Sequence, residues 1–146
     1  MKFKLIVDPD KEEEVVVTAH ARSPLTDRLE QIVTQSAFSD RIAAYDEDEM
    51  LMLPLQQIEC ISVLDGKTYA IDTQNRRFRL KARLHELEEK LPAHFIRINK
   101  STIANELRLK KFTPSFSGAV DAVFQCGHIE YVSRRCFAVI KRRYHL

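Results

Sequence analysis

Tryptophan is absent from this chain of 146 residues, glycine and cysteine occur three times each, and no apolar run approaches the length of a membrane span. Each shortage excludes something. None of the glycines lies in a GxGxxG or GxxxxGK arrangement, so no loop is expected to cradle the phosphates of a nucleotide cofactor. Cys60, Cys126 and Cys136 are odd in number and share no C-x-x-C spacing, which predicts reduced, packed thiols rather than a disulfide framework. A redox role at Cys136, beside Arg134 and Arg135, is the alternative. His20, His85, His94, His128 and His145 are scattered, and Cys126-Gly127-His128 lacks a second half such as C-x-x-C or H-x₃-H, so neither metal nor cofactor is expected. The opening KFKLIV gives way to acids too soon for a signal peptide, and the expectation is a cytoplasmic protein.

Catalytic patterns are missing as well. Ser101, Ser117 and Ser133 lack a GxSxG setting, and Glu86, Glu88 and Glu89 share a helix whose leucines take the buried face. The acidic run Asp46, Glu47, Asp48 and Glu49 reads as a charged turn between strands rather than a cation site. The chain is therefore not expected to be an enzyme or to take a small-molecule substrate.

What is present is charge polarity. Residues 95–146 hold ten Lys or Arg against Glu106, Asp121 and Glu130, a formal +7, whereas residues 1–94 hold thirteen against eighteen, a formal −5. The whole-chain value of +2 conceals this division, and a polarised chain points to a polyanionic partner for its basic end. Two basic, polar-studded segments stand out there, FIRINKSTIAN at 95–105 and YVSRRC at 131–136.

Residues 1–39 read as a ββα extension: Phe3, Leu5 and Val7 alternate, EVVVTA follows the turn-forming DPDKEE, and Ser23-Pro24 starts an amphipathic helix over 24–37. From Asp40 the pattern shifts to short strands: RIAAY, MLMLPL with a proline that suggests an edge or a break, QIECISVL, a turn at Asp65-Gly66, KTYAIDT, a turn at Gln74-Asn75, and RRFRLK. Leu80, Leu84, Leu87 and Leu91 predict a short helix over 81–91, stopped by Pro92. FIRI, STIAN, RLKKFTP, GAVDAVFQ and HIEYVS add strands, with a turn at Ser117-Gly118. Ser133 is placed to cap a last helix striped by Phe137, Ile140 and Tyr144.

From Arg41 to Ile140 the order and spacing of QIECISVLDGKTYAI, LHELEEKLP, FIRINKSTIAN and YVSRR resemble the LytTR-type DNA-binding domain of bacterial transcription regulators. The resemblance implies a mainly β (α+β) fold of small antiparallel sheets with short flanking helices over 40–146, preceded by an extension that serves dimerisation or partner binding. The forty or so residues ahead of the domain are too few for a phosphoacceptor receiver. It also implies double-stranded DNA as partner, read by loops inserted into successive grooves of paired half-sites, a homodimer on DNA, and a small membrane protein as regulator. Carried across by motif, the first loop falls on Gly66, Lys67 and Thr68, the middle contact on Asn99, Lys100 and Ser101, and the last on Arg134 and Arg135.

Lys67 and Thr68 are expected to project from a turn tip, and Arg135 has the planar fork that pairs bidentately with guanine. Lys110, Lys111, Lys141, Arg142 and Arg143 could add phosphate contacts. Two other classes stand beside this reading. One is an RNA-binding module using Phe112, Phe116 and Tyr131; the other is a protein-interaction module of the same fold with only non-specific nucleic-acid binding.

Overall fold

The computed structural model describes residues 2–34, 40–115 and 118–144; Ala37, Phe116, Ser117 and His145, which figure in the sequence reading, lie outside them. The chain divides into two compact units, Met1–Ser36 and Ala37–Leu146. Among the described residues no helix is long and apolar enough to cross a membrane.

In the smaller unit the helix forms as Pro24–Thr34, here α1, with the Thr26 N–H donating to Ser23 Oγ at 3.3 Å as a capping serine should. The two expected strands do not form among the described residues. Lys11 closes a turn onto the Asp8 carbonyl, yet residues 12–20 and 2–7 make no ladder. The physical reason is exposure: Phe3 is 91 % exposed and Val16 74 %, so no apolar layer lies over the pair. A lone two-stranded hairpin is marginal in water without such a layer.

Among its described residues the larger unit has ten strands: β1 (Arg41–Asp46), β2 (Glu49–Pro54), β3 (Ile58–Leu64), β4 (Lys67–Asp72), β5 (Arg77–Leu80), β6 (Phe95–Asn99), β7 (Thr102–Asn105), β8 (Leu109–Pro114), β9 (Val120–Phe124) and β10 (Ile129–Val132). Two further helices are α2 (Leu84–Lys90) and α3 (Arg134–Arg143). Seven strands make one antiparallel sheet in the order β2-β1-β5-β4-β3-β7-β6, and three make a second in the order β10-β9-β8. The strand that ends in Pro54 is an edge, where its missing N–H costs no ladder bond.

Side-chain alternation divides the large sheet's two faces between two cores. Ala70, Ile61 and Ile103 lie opposite one another across β4, β3 and β7, and they pack with Leu84, Leu87 and Leu91 of and around α2. The next row, Ile71, Cys60 and Ala104, faces the other way and packs with Ala122, Phe124, Val132 and Ile140 of the small sheet and α3. β3 is thus covered on both sides, which explains its nearly unbroken burial and the density of Ile and Val in the sequence there.

A bulge in the β3–β4 ladder inserts Glu59 between Ile58 and Cys60, so Ile58 joins one core and Cys60 the other. The fully buried Glu59 carboxylate accepts from Arg108 Nε and from the Cys126 backbone N–H, both at 2.6 Å, and so joins the two sheets. Glu59→Ala strands the Cys126 N–H and one side of Arg108, but Arg108 keeps 33 % of its side chain in water. The expected loss is therefore about 2–3 kcal/mol, below the roughly 3–5 kcal/mol of a fully enclosed pair. Urea unfolding should show it as a lower midpoint at unchanged slope.

Candidate nucleic-acid interface

Three connections carry the residues singled out in the sequence. The β3–β4 hairpin turns on Asp65 and Gly66, both at positive φ (52° and 75°), the geometry that matches a two-residue turn to strand twist and that glycine adopts without strain. The ladder resumes at once, with Leu64 opposite Lys67 and Val63 opposite Thr68. Alternation then sends Lys67 outward and Thr68 inward, where it is 7 % exposed. Free projection of Thr68 from the tip is corrected: it is a buried strand residue, and Lys67 is the group the tip presents.

The β6–β7 turn is Lys100-Ser101. Asn99 just before it is also buried: its Nδ2 donates to the Tyr131 carbonyl and its Oδ1 accepts from the Ser101 N–H, both at 2.7 Å. Both ends of the amide are used inside the protein, so direct base contact by Asn99 gives way to a role in shaping the turn. Arg97 completes the turn, donating from Nε to the Asn99 carbonyl (2.8 Å) and from Nη2 to the Lys100 carbonyl (2.6 Å) while Nη1 pairs with Glu88 at 2.9 Å. Lys100 is left exposed, and Ser101 half-buried.

The third connection runs from β10 into α3. Ser133 caps the helix, its Oγ accepting the Cys136 N–H at 3.2 Å. Arg134 and Arg135 occupy the first turn and are exposed; no ion pair among the described residues involves either. The positive end of a helix dipole disfavours cations by some tenths of a kcal/mol each, so this pair is electrostatically suited to an anion arriving from outside. Arg134 also lines a dent of about 160 Å³ with Lys141 and Phe137. Arg143 is engaged elsewhere, with Glu106 at 3.0 Å, while Lys110, Lys111, Lys141 and Arg142 are exposed.

Hydrogen bonds gather the three connections at one end of the large sheet. The Val63 N–H donates to the Ser101 carbonyl (2.8 Å), which sets the β6–β7 turn beside the end of the β3–β4 hairpin. The Ser133 N–H donates to the Ile98 carbonyl (2.9 Å), and with the Asn99–Tyr131 bond this fastens the start of α3 to that same turn.

A polar network that sequence reading missed supports the arrangement. Glu130 reaches from β10 to accept from Ser62 Oγ at 2.9 Å and to meet Thr102 Oγ1 at 3.5 Å, and its Oε1 lies 2.8 Å from His128 Nε2. Burial alone pushes the Glu130 carboxyl up; the hydrogen bonds from His128 and Ser62, the His128 charge and the Thr102 bond outweigh it and hold the group below its ordinary range. Burial, with the Glu130 charge adding to it, pushes the Cys60 thiol well up, and burial raises that of Cys126. The available signal was Ser62 and Thr102 themselves, polar positions on a buried strand face that demand a partner.

Comparison with known proteins bears on the family and the fold. The LytTr DNA-binding domain model matches residues 48–145. The chain is 32 % identical over 146 residues to uncharacterized HTH-type transcriptional regulators of Staphylococcus aureus strains MSSA476 and MW2, covering 98 % of this chain and 97 % of each relative. A solved LytTr DNA-binding domain from Bacillus cereus superposes with a TM-score of 0.68 at 21 % identity, covering 75 % of this chain and all of that one. Despite the relatives' name, no two helices follow one another directly among the described residues; strands separate all three.

Asn99→Ala removes the bonds to Tyr131 and Ser101 and leaves their partly buried backbone groups unmatched. An expected loss of about 1–3 kcal/mol follows. Lys100→Ala, at the exposed neighbour, should change stability by less than about 0.5 kcal/mol. Thermal unfolding of the two variants side by side checks the contrast.

Proposed function

Because the chain belongs to the LytTr DNA-binding domain family, we propose that it is a transcription regulator that reads duplex DNA through three basic tips: Lys67, the Lys100-Ser101 turn, and Arg134 with Arg135. The observation that supports the reading most is the gathering of these exposed cations at one end of the large sheet by the Val63–Ser101, Asn99–Tyr131 and Ser133–Ile98 bonds. The alternative for these arginines is a surface ion pair, and neither has one among the described residues.

In this reading Arg135 reads a guanine edge with its planar fork, and Arg134 grips phosphate or a neighbouring base. Lys67 enters the groove next to the hairpin tip, Lys100 the groove between, and the Ser101 hydroxyl bonds phosphate. Thr68 and Asn99 belong to the site as the residues that hold these tips in place. Lys110, Lys111, Lys141 and Arg142 add backbone contacts that carry affinity but no sequence information. The work is recognition and involves no enzymatic step.

The proposal extends to a homodimer on paired half-sites. Phe3, Leu5, Val7 and Val15 to Val17 of the smaller unit, all exposed, are the apolar surface a second copy would cover.

Selection of bound duplexes from a random pool at roughly physiological salt, repeated with Arg135→Ala, tests the reading. We expect a repeated half-site, one position of which relaxes in the variant with a loss of about 1–3 kcal/mol in discrimination there. Lys100→Ala should weaken binding to all selected sequences and lower the salt slope by about one unit for each phosphate the lysine no longer neutralises. Binding without a motif, fading equally with salt for every sequence, would instead favour an interaction module with a basic surface.

A further inference from the structure

His128, in the turn that follows Cys126-Gly127, meets Glu130 on its own hairpin and Cys60 across the two sheets. The Cys60 sulfur on β3, a ring nitrogen of His128 and a carboxylate oxygen of Glu130 all lie within 4.8 Å of one another. They converge from separate elements rather than from one acidic patch: Cys60 belongs to the row of the large sheet that faces the small one, whereas His128 and Glu130 come from the β9–β10 turn and β10. Cys60 is fully buried, while His128 and Glu130 each keep 19 % of their side chains in water, so the cluster is closed at its sulfur end and open at the other.

We propose that Cys60, His128 and Glu130 bind a Zn²⁺ ion that pins the β9–β10 hairpin, and with it the strand leading into Arg134 and Arg135, to the large sheet. A thiol, an imidazole and a carboxylate form a donor set of mixed softness that suits zinc and excludes the all-oxygen preference of calcium and magnesium. Three protein ligands leave the fourth tetrahedral position to water on the open side.

The distances are compatible with small movements. With zinc bonds of about 2.0–2.1 Å to nitrogen and oxygen and about 2.3 Å to sulfur, tetrahedral ligands stand roughly 3.3–3.6 Å apart. His128 Nε2 and Glu130 Oε1 are at 2.8 Å, and the ion takes the place of the proton between them at the cost of a separation of about half an ångström. The carboxylate is already oriented by the Ser62 and Thr102 hydroxyls, which can hold it as outer partners hold a ligating group. Binding sends the Cys60 thiol proton to solvent, giving a zinc thiolate; the proton displaced from His128 Nε2 moves to Nδ1 of a neutral ring, for one proton released in all, or leaves to solvent from a charged ring, for two.

The full-length protein, stripped of metal with a chelator, is titrated with zinc chloride and, separately, cobalt chloride. The expected results are one equivalent bound per chain, a rise in melting temperature with zinc, and a thiolate-to-cobalt charge-transfer band in the near ultraviolet. His128→Gln, which can keep a hydrogen bond to Glu130, should weaken zinc affinity by about tenfold or more. Cys60→Ser should abolish the cobalt band; if that buried substitution does not fold, the band in the unmodified protein still reports the sulfur ligand. Absence of saturable binding overturns the proposal, as does a cobalt adduct without the thiolate band or a His128→Gln protein that binds zinc as tightly as the parent.

Discussion

The two-residue alternation of side chains along β3, β4 and β7 is the constraint on which the domain depends. Because neighbouring residues face opposite ways, Ile61 and Cys60 serve different cores, and one sheet is the wall of both. A slip of register by one residue would exchange the two rows and place Ser62 and Thr102 against the α2 leucines with no acceptor for their hydroxyls. The polar row therefore reinforces what the apolar rows specify. The Glu59 bulge interrupts the β3–β4 ladder, and it sets a charged side chain where the second sheet can bind it.

The strand ends inherit this rigidity. Buried polar groups are costly unless matched, and Asn99, Asn105 and Glu130 each spend their hydrogen-bonding capacity on groups distant in sequence: Tyr131, Ile58, and the Ser62–Thr102 pair. Those bonds carry order outward to turns that would otherwise be free to move. Lys67, Lys100, Arg134 and Arg135 thus stand on short supports fixed from below, and a partner that meets them need not supply the ordering free energy itself. The helix beneath the two arginines adds an electrostatic bias toward an anion.

The smaller unit shows the opposite case. Its alternating apolar residues have the pattern of strands and lack the covering layer that would make the pattern cooperative, so only the capped helix α1 forms among the described residues. A local signal, Ser23 followed by Pro24, was enough for the helix start because a cap needs only its neighbours; a ladder needs a partner surface.

The same distinction separates what was legible in the chain from what was not. Turn chemistry, strand alternation and the Ser133 cap are local, so the sequence by itself determined the mainly β class, the hairpin at Asp65-Gly66, and the family. The charge polarity likewise located the basic end. Only the tertiary structure decided which polar residues remain available to a partner. Thr68 and Asn99 look like their neighbours Lys67 and Lys100 in the sequence, yet burial turns them into supports. Cys60, His128 and Glu130 meet only once the two sheets are stacked. The physical reason is that burial and convergence are properties of the packed surfaces, set by which strands pair and which faces meet, and no window of adjacent residues contains them.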